Sequence, residues 1–433
     1  MSSVRLVTLD PGHFHAALVQ KEMYPGVDPR VHVYGPPGTD LLAHVQRIAG
    51  FNTRPVQPTA WELEVHACSD FAERLWRERP GNVVVLAGRN AAKIGYIEGA
   101  IAAGMNVLAD KPWVMDPEDL PRLEAVLDEA DRLGLVAYDI MTERYEITSI
   151  LQRALVNDAE VFGQPEAGTP ENPGVFMESV HYLKKLVAGV PLRRPAWFFD
   201  VRQQGEGLAD VGTHLVDLVP WILFPGQAFA YRHDMQLLTA KRWPTVLTRR
   251  DFEAVTGAER FPDALADQAK GDRLDCFCNT RVTYRLRGVH VRLDVLWDFE
   301  AAPGAGDTHL AVFRGSHSRV EIRQAKEENY RPEVYVIPAP GQENAVRLAT
   351  ARRVEQLQAG YSGIALHNQG ERLWLTVPGA YRVGHEAHFA EVTRQFLRYL
   401  REEEAMPAWE KPNMLAKYFV TTGGVALARG ASG

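Results

Sequence analysis

The clearest candidates for chemistry are polar residues at helical spacing in the middle of the chain. The motif Asp210-x-Gly212-x-His214-x-x-Asp217 places an aspartate four residues before a histidine. On a helix, residues i and i+4 share a face, so a carboxylate would lie beside an imidazole and tune its basicity. Histidine titrates at about pH 6.5, near the working pH, which makes His214 the candidate general base. Asp210 would hold His214 or bind a neighbouring hydroxyl, and Asp217 extends the same face.

The elements of the first 145 residues are short apolar runs that alternate with helical segments. This alternation is typical of a parallel sheet with crossover helices. The predicted strands are Arg5–Leu9, Val31–Tyr34, Val83–Ala87, Asn106–Leu108 and Val136–Asp139. Helices are predicted over Ala91–Ala103, before Gly104, and from Asp116 to about Leu133, with an acidic first turn. The sequence therefore predicts a Rossmann-like α/β dinucleotide-binding domain over residues 1–146.

The pattern changes after residue 150. Helices are predicted around Glu178–Ala188 and Thr213–Leu223, with a last helix over about His385–Glu403. The β-like runs are Arg281–Leu286, Val289–Phe299, Leu310–Arg314 and Arg319–Arg323. Arg287-Gly288 joins the first two runs as a hairpin turn, and hairpins indicate antiparallel pairing. Residues 147–433 are thus predicted to form an α+β domain with a large, mainly antiparallel open sheet, and Gly163–Gly174 is predicted to be a loop.

The turn after the first predicted strand is the candidate nucleotide-binding turn. A G-x-G-x-x-G fingerprint lets backbone amides and a helix N-terminus approach a pyrophosphate. Asp10, Gly12 and His15 stand in the three glycine places, so one glycine of the fingerprint is present. The second predicted strand runs into Gly-Pro-Pro-Gly and lacks both an acid for a ribose hydroxyl and an arginine for a 2′-phosphate. NAD and NADP therefore both stay open; packing is predicted for His15 and a looser cofactor contact for His13.

Composition and charge exclude several function classes. The net charge of −7 gives no attraction to nucleic acid or to an anionic membrane. No apolar run reaches the roughly 18 residues of a membrane span. The N-terminus reads as a strand and not as a signal peptide, so a cytoplasmic location is expected. Cys276 and Cys278 alternate within a β-like run, which favours packing over metal ligation, and no metal site is predicted.

Two motifs about 100 residues apart resemble the glucose–fructose oxidoreductase/inositol dehydrogenase (Gfo/Idh/MocA) family. In that family a strand, an Asn-bearing turn and a helix lead to Glu-Lys-Pro, which here reads Asp110-Lys111-Pro112. The family also has a Gly-rich run followed by Asp-x-Gly-x-His-x-x-Asp. The second part matches from Asp210 onward, whereas Glu206 interrupts the Gly-rich run. The long segment after residue 225 resembles a subgroup with its own C-terminal domain.

The resemblance implies a nicotinamide-dependent oxidoreductase that acts on a sugar, glycoside or polyol hydroxyl and forms a homodimer or homotetramer through the open sheet. It implies that Lys111, before a bond that is often cis in the family, contacts the reacting hydroxyl and stabilises charge on its oxygen. The catalytic residues would be Lys111, Asp210 and His214. The expected cofactor-binding residues are Gly12, His13, Phe14, Gly88, Arg89, Asn90, Asp110, Lys111 and Pro112, and the cofactor is NAD or NADP. The expected substrate-binding residues are Lys111, Arg144, Glu178, His181, Asp210 and His214, with Glu178 and His181 spaced i, i+3 on the predicted helix.

Two other functions stay open at this point. In the first, a tightly held NAD oxidises a glycoside transiently, and the protein acts as a hydrolase or lyase. In the second, the chain is a non-catalytic sensor that binds a nucleotide or a sugar. Net NADH formation from a glycoside or polyol would argue against the hydrolase, and a lack of all chemistry alongside tight binding would favour the sensor.

Overall fold

The computed structural model describes residues 3–187 and 190–431, which divide into two compact units. The first unit comprises the described residues up to Thr142 together with Arg202–Gln204 and Gly384–Lys411. The second unit comprises Glu143–Val201, Gly205–Val383 and the described residues from Pro412 onward. The chain therefore returns twice to the first unit, in segments that a single division between residues 146 and 147 assigns to the second domain.

The first unit is built on a parallel sheet of six strands. They are β1 (Leu6–Leu9), β2 (Arg30–Gly35), β3 (Glu62–Ala67), β4 (Val83–Leu86), β5 (Asn106–Asp110) and β6 (Ala137–Ile140). Their order is β3-β2-β1-β4-β5-β6, the order of dinucleotide-binding folds. β1, β4 and β5 are fully buried, as continuous apolar runs require in a sheet covered on both faces. The predicted Rossmann-like sheet is confirmed, with β3 as an additional edge strand.

Both units contain helices. In chain order the α-helices of the described residues are α1 (His15–Leu18), α2 (Thr39–Thr53), α3 (Phe71–Glu78), α4 (Lys93–Ala102), α5 (Leu120–Leu133), α6 (Ile147–Val156), α7 (Val201–Gln204), α8 (Gly212–Leu223), α9 (Tyr231–Asp234), α10 (Arg249–Thr256), α11 (Glu343–Leu357), α12 (His385–Leu400) and α13 (Glu410–Gly430). α5 ends at Gly134 in the left-handed region, as predicted. Among these helices none has the length and apolarity that crossing a bilayer requires.

The second unit carries a mixed, mostly antiparallel sheet of ten strands. The strands of this unit are β7 (Val175–Lys184), β8 (Leu186–Val187), β9 (Val190–Pro191), β10 (Met235–Thr248), β11 (Ala269–Lys270), β12 (Arg273–Leu286), β13 (Val289–Glu300), β14 (Thr308–Arg314), β15 (Ser318–Gln324), β16 (Glu333–Pro338), β17 (Ala365–Asn368) and β18 (Leu373–Thr376). The large sheet runs β10-β12-β13-β7-β14-β15-β16-β18-β17, with β11 beside β12, while β8 and β9 pair separately. The predicted hairpin is confirmed: Arg287 and Gly288 join β12 to β13 with φ of 47° and 85°.

Two predicted helices need correction. Glu178–Ala188 is not a helix: the described part of this segment lies mainly in β7, which pairs with β13 on one side and β14 on the other. Ala188 itself lies outside the described residues. The helix predicted over His385–Glu403 exists as α12, but it is not the last, because α13 follows it. Both errors come from partners distant in sequence, which local spacing does not reveal.

Cys276 and Cys278 lie in β12, as the alternating pattern predicted. Cys276 is buried in an apolar cluster with Leu183, Phe199 and Leu274, and Cys278 packs against that cluster. Cys278 also donates a hydrogen bond to the carbonyl of Cys276, at 3.3 Å between Sγ and O. The two side chains therefore contribute to packing.

Candidate active site

The turn between β1 and α1 has one of the three glycines of a dinucleotide-binding turn, Gly12. Asp10, in the place of the first glycine, has φ of 46°, in the left-handed region that glycine adopts freely. Its carbonyl accepts a hydrogen bond from the amide of Gly12 at 2.8 Å. Gly88, two residues after β4, lies against this turn. A Cβ at position 88 would lie 2.2 Å from the carbonyl oxygen of Asp10. A glycine is therefore required at position 88 by the neighbouring turn.

His15, in the place of the third glycine, binds the end of β5 through its side chain. Its Nδ1 lies 2.8 Å from Oδ2 of Asp110, and both residues are buried. Burial raises the pKa of Asp110, but His15 and the ammonium groups of Lys111 and Lys93 outweigh it and hold this pKa well below its usual range. Burial lowers the pKa of His15, so a neutral ring donates its Nδ1 proton to an ionised carboxylate. The packing role predicted for His15 fits this geometry.

Lys93 is a buried cation that sequence reasoning missed. Its side chain is 2% exposed, and its Nζ donates to Oδ1 of Asn90 at 2.6 Å and to the carbonyl of Asp110 at 2.7 Å. Asn90 in turn donates from Nδ2 to the carbonyl of Gln204 at 2.7 Å. Lys93 therefore ties the Asn-bearing turn to the strand end that carries Lys111. A lysine at the first position of a helix reads as solvated in the sequence, so no signal marked it.

Arg89, a predicted cofactor residue, pairs with two carboxylates. Its Nη2 donates to Asp40 at 2.8 Å, and its Nη1 lies 3.7 Å from Asp10. Burial raises the pKa of Asp10, and the charge of Arg89 opposes that rise. Because 31% of the Arg89 side chain stays exposed, the guanidinium is accessible at the carboxyl end of β4.

Lys111 lies at the carboxyl end of β5, and the peptide bond to Pro112 is cis, as the resemblance implied. Lys111 is 7% exposed. β6 runs beside β5, with Ile140 opposite Asp110, so Thr142 follows the neighbouring strand end. The hydroxyl of Thr142 is buried and has no hydrogen-bond partner among the described residues. Thr142 is a second site residue that the sequence did not single out.

Asp210 and His214 lie in the second unit at the start of α8. The helix begins at Gly212, so Asp210 belongs to the preceding turn, and its amide donates to the carbonyl of Glu206 at 3.0 Å. That Asp210 and His214 share one face stays a prediction, since Asp210 precedes the first residue of α8 by two positions. The buried guanidinium of Arg194 interacts with Asp210. Burial lowers the pKa of Arg194, and the charge of Asp210 opposes that change.

Glu206, which interrupts the Gly-rich run before Asp210, is buried and pairs with two partly exposed arginines. It is 3% exposed and accepts from Arg242 at 2.6 Å and from Arg429 at 2.9 Å. The glycine after it is required by packing, because a Cβ on Gly207 would lie 1.9 Å from the carbonyl oxygen of Cys278. The departure from the family motif is thus compensated by arginines of β10 and α13.

Asp217 and Arg144 form a buried ion pair within the second unit. The Nε and Nη2 of Arg144 donate to the two carboxylate oxygens at 2.6 and 2.7 Å, and Nζ of Lys417 donates at 3.1 Å. Burial raises the pKa of Asp217, but the charges of Arg144 and Lys417 outweigh it and lower this pKa to about 2. Asp217 therefore anchors α8, and the guanidinium predicted to bind substrate is engaged with it.

Glu178 and His181 point to opposite faces of β7, because they are three positions apart on a strand. His181 lies between Ser179 and Asp307, with its Nε2 2.7 Å from the hydroxyl and its Nδ1 3.2 Å from the carboxylate. On the other face, burial and the charge of Asp294 raise the pKa of Glu178. The shared helical face predicted for these two residues was wrong.

The chain is similar to known oxidoreductases over most of its length. Residues 151–429 match the family described as "Putative oxidoreductase C terminal domain". The solved structure of a "putative oxidoreductase" from Parabacteroides merdae is 45% identical, with 99% of this chain and 98% of that chain covered and a TM-score of 0.96. No curated protein sequence matches the chain.

More distant structures share the fold. GenD2 from gentamicin A biosynthesis, solved with NAD, is 16% identical over 99% of this chain and 95% of its own, with a TM-score of 0.57. KijD10, a 3-ketoreductase from Actinomadura kijaniata solved with NADP and TDP-benzene, is 16% identical over 99% and 98%, with a TM-score of 0.57. The matched family and the 45% identical structure define an oxidoreductase. The chain belongs to the Gfo/Idh/MocA oxidoreductases, in the subgroup with this C-terminal domain.

Proposed function

We propose that this protein transfers a hydride between NAD or NADP and a secondary hydroxyl of a sugar, glycoside or polyol. The observation that carries the proposal is the buried Lys111, which follows β5 directly after the ionised Asp110. Ligands of open parallel sheets bind at the carboxyl ends of the strands, where these residues lie. The nicotinamide cofactors of GenD2 and of the 3-ketoreductase support the same class of reaction.

The residues of the first unit fit a nicotinamide dinucleotide. The turn with Gly12, His13 and Phe14 and the segments Gly88–Asn90 and Asp110–Pro112 would hold it. The buried hydroxyl of Thr142, without a partner among the described residues, fits a polar group such as a carboxamide. When bound, the nicotinamide accepts or donates the hydride.

Each catalytic side chain has a separate proposed role. The ammonium of Lys111 donates a hydrogen bond to the reacting oxygen and stabilises its negative charge. His214 takes up the hydroxyl proton, and Asp210 orients His214 or binds a neighbouring hydroxyl. Arg144 positions α8 through Asp217, while the expected substrate contacts of Glu178 and His181 stay predictions.

Assembly and location belong to the same proposal. We expect a homodimer or homotetramer that forms through the ten-stranded sheet, in the cytoplasm. The Glu178 face of that sheet carries Asp294, which Arg281 and Arg292 both bind. Light scattering of the purified chain, compared with an Asp294→Lys variant, tests whether this face associates.

The decisive experiment uses the purified full chain. We expect it to bind NAD or NADP and to form the reduced cofactor with members of a sugar and polyol panel. Lys111→Met should lower kcat by about 100- to 1000-fold, the usual effect of removing one donor to a developing oxyanion. His214→Asn should lower kcat by about 100- to 10,000-fold. Lys241→Met, a change of an exposed lysine on β10, is the matched control.

Near wild-type turnover in either variant, with the cofactor still bound, would overturn the assignment. Release of an aglycone without net reduction of the cofactor would instead show the hydrolase or lyase. Tight binding of a sugar without any chemistry would show a sensor.

A further inference from the structure

Two histidines and a glutamate converge at the edge of the six-stranded sheet, away from the strand ends that carry Lys111. His32 lies on β2, and Glu64 and His66 lie on the edge strand β3. The parallel register pairs His32 with Glu64 and Tyr34 with His66. Paired residues, and residues two apart on one strand, point to the same face of a sheet. The two imidazoles and the carboxylate therefore stand together on one face.

The donor atoms of these three side chains form a small triangle. Nδ1 of His32 lies 3.1 Å from Nε2 of His66. The carboxylate oxygens of Glu64 lie 3.7 Å from each of these nitrogens. In a tetrahedral zinc site with bonds of about 2.0–2.1 Å, neighbouring ligand atoms are about 3.3–3.4 Å apart. The two 3.7 Å distances involve different oxygens of Glu64, Oε2 for His32 and Oε1 for His66. One ligand atom from each residue lies within 4.8 Å of the other two, so one ion fits between the three side chains after small shifts.

Aromatic and charged neighbours pack beside His66. The ring of Tyr34 stacks on His66 at 4.2 Å, and the Tyr34 hydroxyl donates to Glu78 at 2.6 Å. Arg74 is itself paired with Glu78 at 2.7 Å. Glu78 therefore binds both Tyr34 and Arg74.

Exposure leaves one side of the triangle open. The side chains of His32 and His66 are 16% and 10% exposed, whereas that of Glu64 is 52% exposed. A fourth ligand can therefore be water from solvent. β3 also needs an anchor, because it hydrogen-bonds to β2 alone and none of its six side chains is fully buried.

We propose that His32, Glu64 and His66 bind one divalent first-row metal ion, with zinc as the best-fitting ion, and that this ion fastens the edge strand β3 to β2. Two imidazoles and one carboxylate are a ligand set that zinc and its neighbours prefer. Without the ion, the short contact between the histidines is a hydrogen bond that joins the strands more weakly. The sequence did not indicate this site, because its histidines belong to different strands.

A second group of potential ligands, formed by His13, His15 and Asp110, is a poorer cation site. His15 already bonds Asp110 at 2.8 Å, whereas Nδ1 of His13 lies 4.0 Å away. The ammonium groups of Lys93 and Lys111 also act on Asp110 and repel a cation. This group belongs to the turn assigned to the nicotinamide cofactor.

The test is metal binding by the full chain after removal of metal with a chelator. Titration with Co²⁺ should show one saturating equivalent, with the visible absorption of a tetrahedral ion, and Zn²⁺ should displace it. Zn²⁺ should also raise the thermal midpoint of unfolding. Loss of a partner that only supports a ligand weakens metal binding about 10- to 100-fold, so loss of a ligand should cost at least about 100-fold.

The variants His32→Gln, His66→Gln and Glu64→Gln should each show this loss. Glu64→Gln keeps the test valid if the histidine variants fold poorly, since Glu64 is half exposed. His367→Gln, which changes an exposed histidine on β17, should bind like wild type. Absence of saturable binding, or unchanged affinity in Glu64→Gln and His32→Gln, would overturn the proposal. A loss confined to His13→Gln would assign the metal to the turn and overturn it equally. None of these readouts depends on catalytic turnover.

Discussion

Asp217→Asn is expected to destabilise the second unit by about 2–5 kcal/mol, because it removes a buried charge from an ion pair. Asp217 is 4% exposed and faces two buried cations, Arg144 and Lys417. Asparagine keeps the shape of the side chain and loses its charge, so both buried cations would lose the counter-charge that Asp217 provides. The change therefore isolates electrostatics from packing.

The lower bound follows from the pKa of Asp217. Its fall from 3.8 to about 2 is nearly two units, and at about 1.4 kcal/mol per unit this corresponds to about 2 kcal/mol. The upper bound follows from the cost of breaking a buried ion pair on one side, about 3–5 kcal/mol. Because the pKa is lowered in the folded state, this stabilisation is present above the unfolded pKa. It is lost as the pH falls from about 4 through about 2.

Urea unfolding at pH 7, followed by tryptophan fluorescence, measures the difference, with Trp221 of α8 as a reporter. Glu300→Gln is the matched control, because Glu300 pairs with Lys184 on the surface and both side chains are about half exposed. Removing such a pair costs at most about 1 kcal/mol. If Asp217→Asn and Glu300→Gln were equally stable, or if their difference persisted unchanged at pH 2, the assignment of Asp217 as an ionised anchor would be refuted.

Two further changes concern the first unit. Gly88→Ala should lower the free energy of unfolding by about 1–3 kcal/mol, because the added Cβ would lie 2.2 Å from the carbonyl oxygen of Asp10. Gly95→Ala, whose Cβ meets nothing within 4 Å in α4, should instead stabilise by up to about 1 kcal/mol; equal thermal midpoints would contradict the close approach. Lys93→Met should lower the free energy of unfolding in urea, because it removes the hydrogen bonds to Asn90 and to the carbonyl of Asp110. The expected loss is about 1–3 kcal/mol for each of these two acceptors. Wild-type stability of that variant would show that the acceptors find other partners.

Some of the strands that the sequence predicted correctly are buried at every residue. Val83–Leu86 and Asn106–Asp110 are buried at every position, so their apolar runs were visible. The edge strand Glu62–Ala67 was missed although polar and apolar residues alternate along it, because none of its side chains is fully buried and it has no continuous apolar run. β7 was mistaken for a helix because Glu178 and His181 imitate helical spacing. Its conformation is set by β13 and β14, more than 100 residues later in the chain.

Helix α13, which the sequence did not predict, has glycines in its interior. Its pattern is interrupted by Gly423 and Gly424, which lower helix propensity. A Cβ on either glycine would lie about 2.5 Å from a leucine, Leu237 or Leu208 respectively. The two glycines therefore allow α13 to pack closely against other elements. A single sequence does not distinguish such glycines from glycines that end a helix.

For the candidate site, the sequence motif and the structure give different reasons for the same residues. The motif predicted Asp217 as part of a catalytic face, whereas the structure uses it to anchor α8 through Arg144. Lys93 and Thr142 became visible only through their burial, since neither belongs to a spaced pattern. Spacing can find residues that one helix or one turn brings together. It does not find residues that a sheet brings together from separate strands.

The altered nucleotide-binding turn illustrates what such a motif measures. The G-x-G-x-x-G fingerprint contains glycines because glycine allows the left-handed backbone and the close approach that the turn needs. Here Asp10 adopts the left-handed conformation itself, and Gly88 on the neighbouring strand end provides the close approach. His15 fills the place of the third glycine and bonds Asp110, next to Lys111. The turn is thus linked by a side chain to the strand end that carries the lysine, a connection that a turn with three glycines lacks.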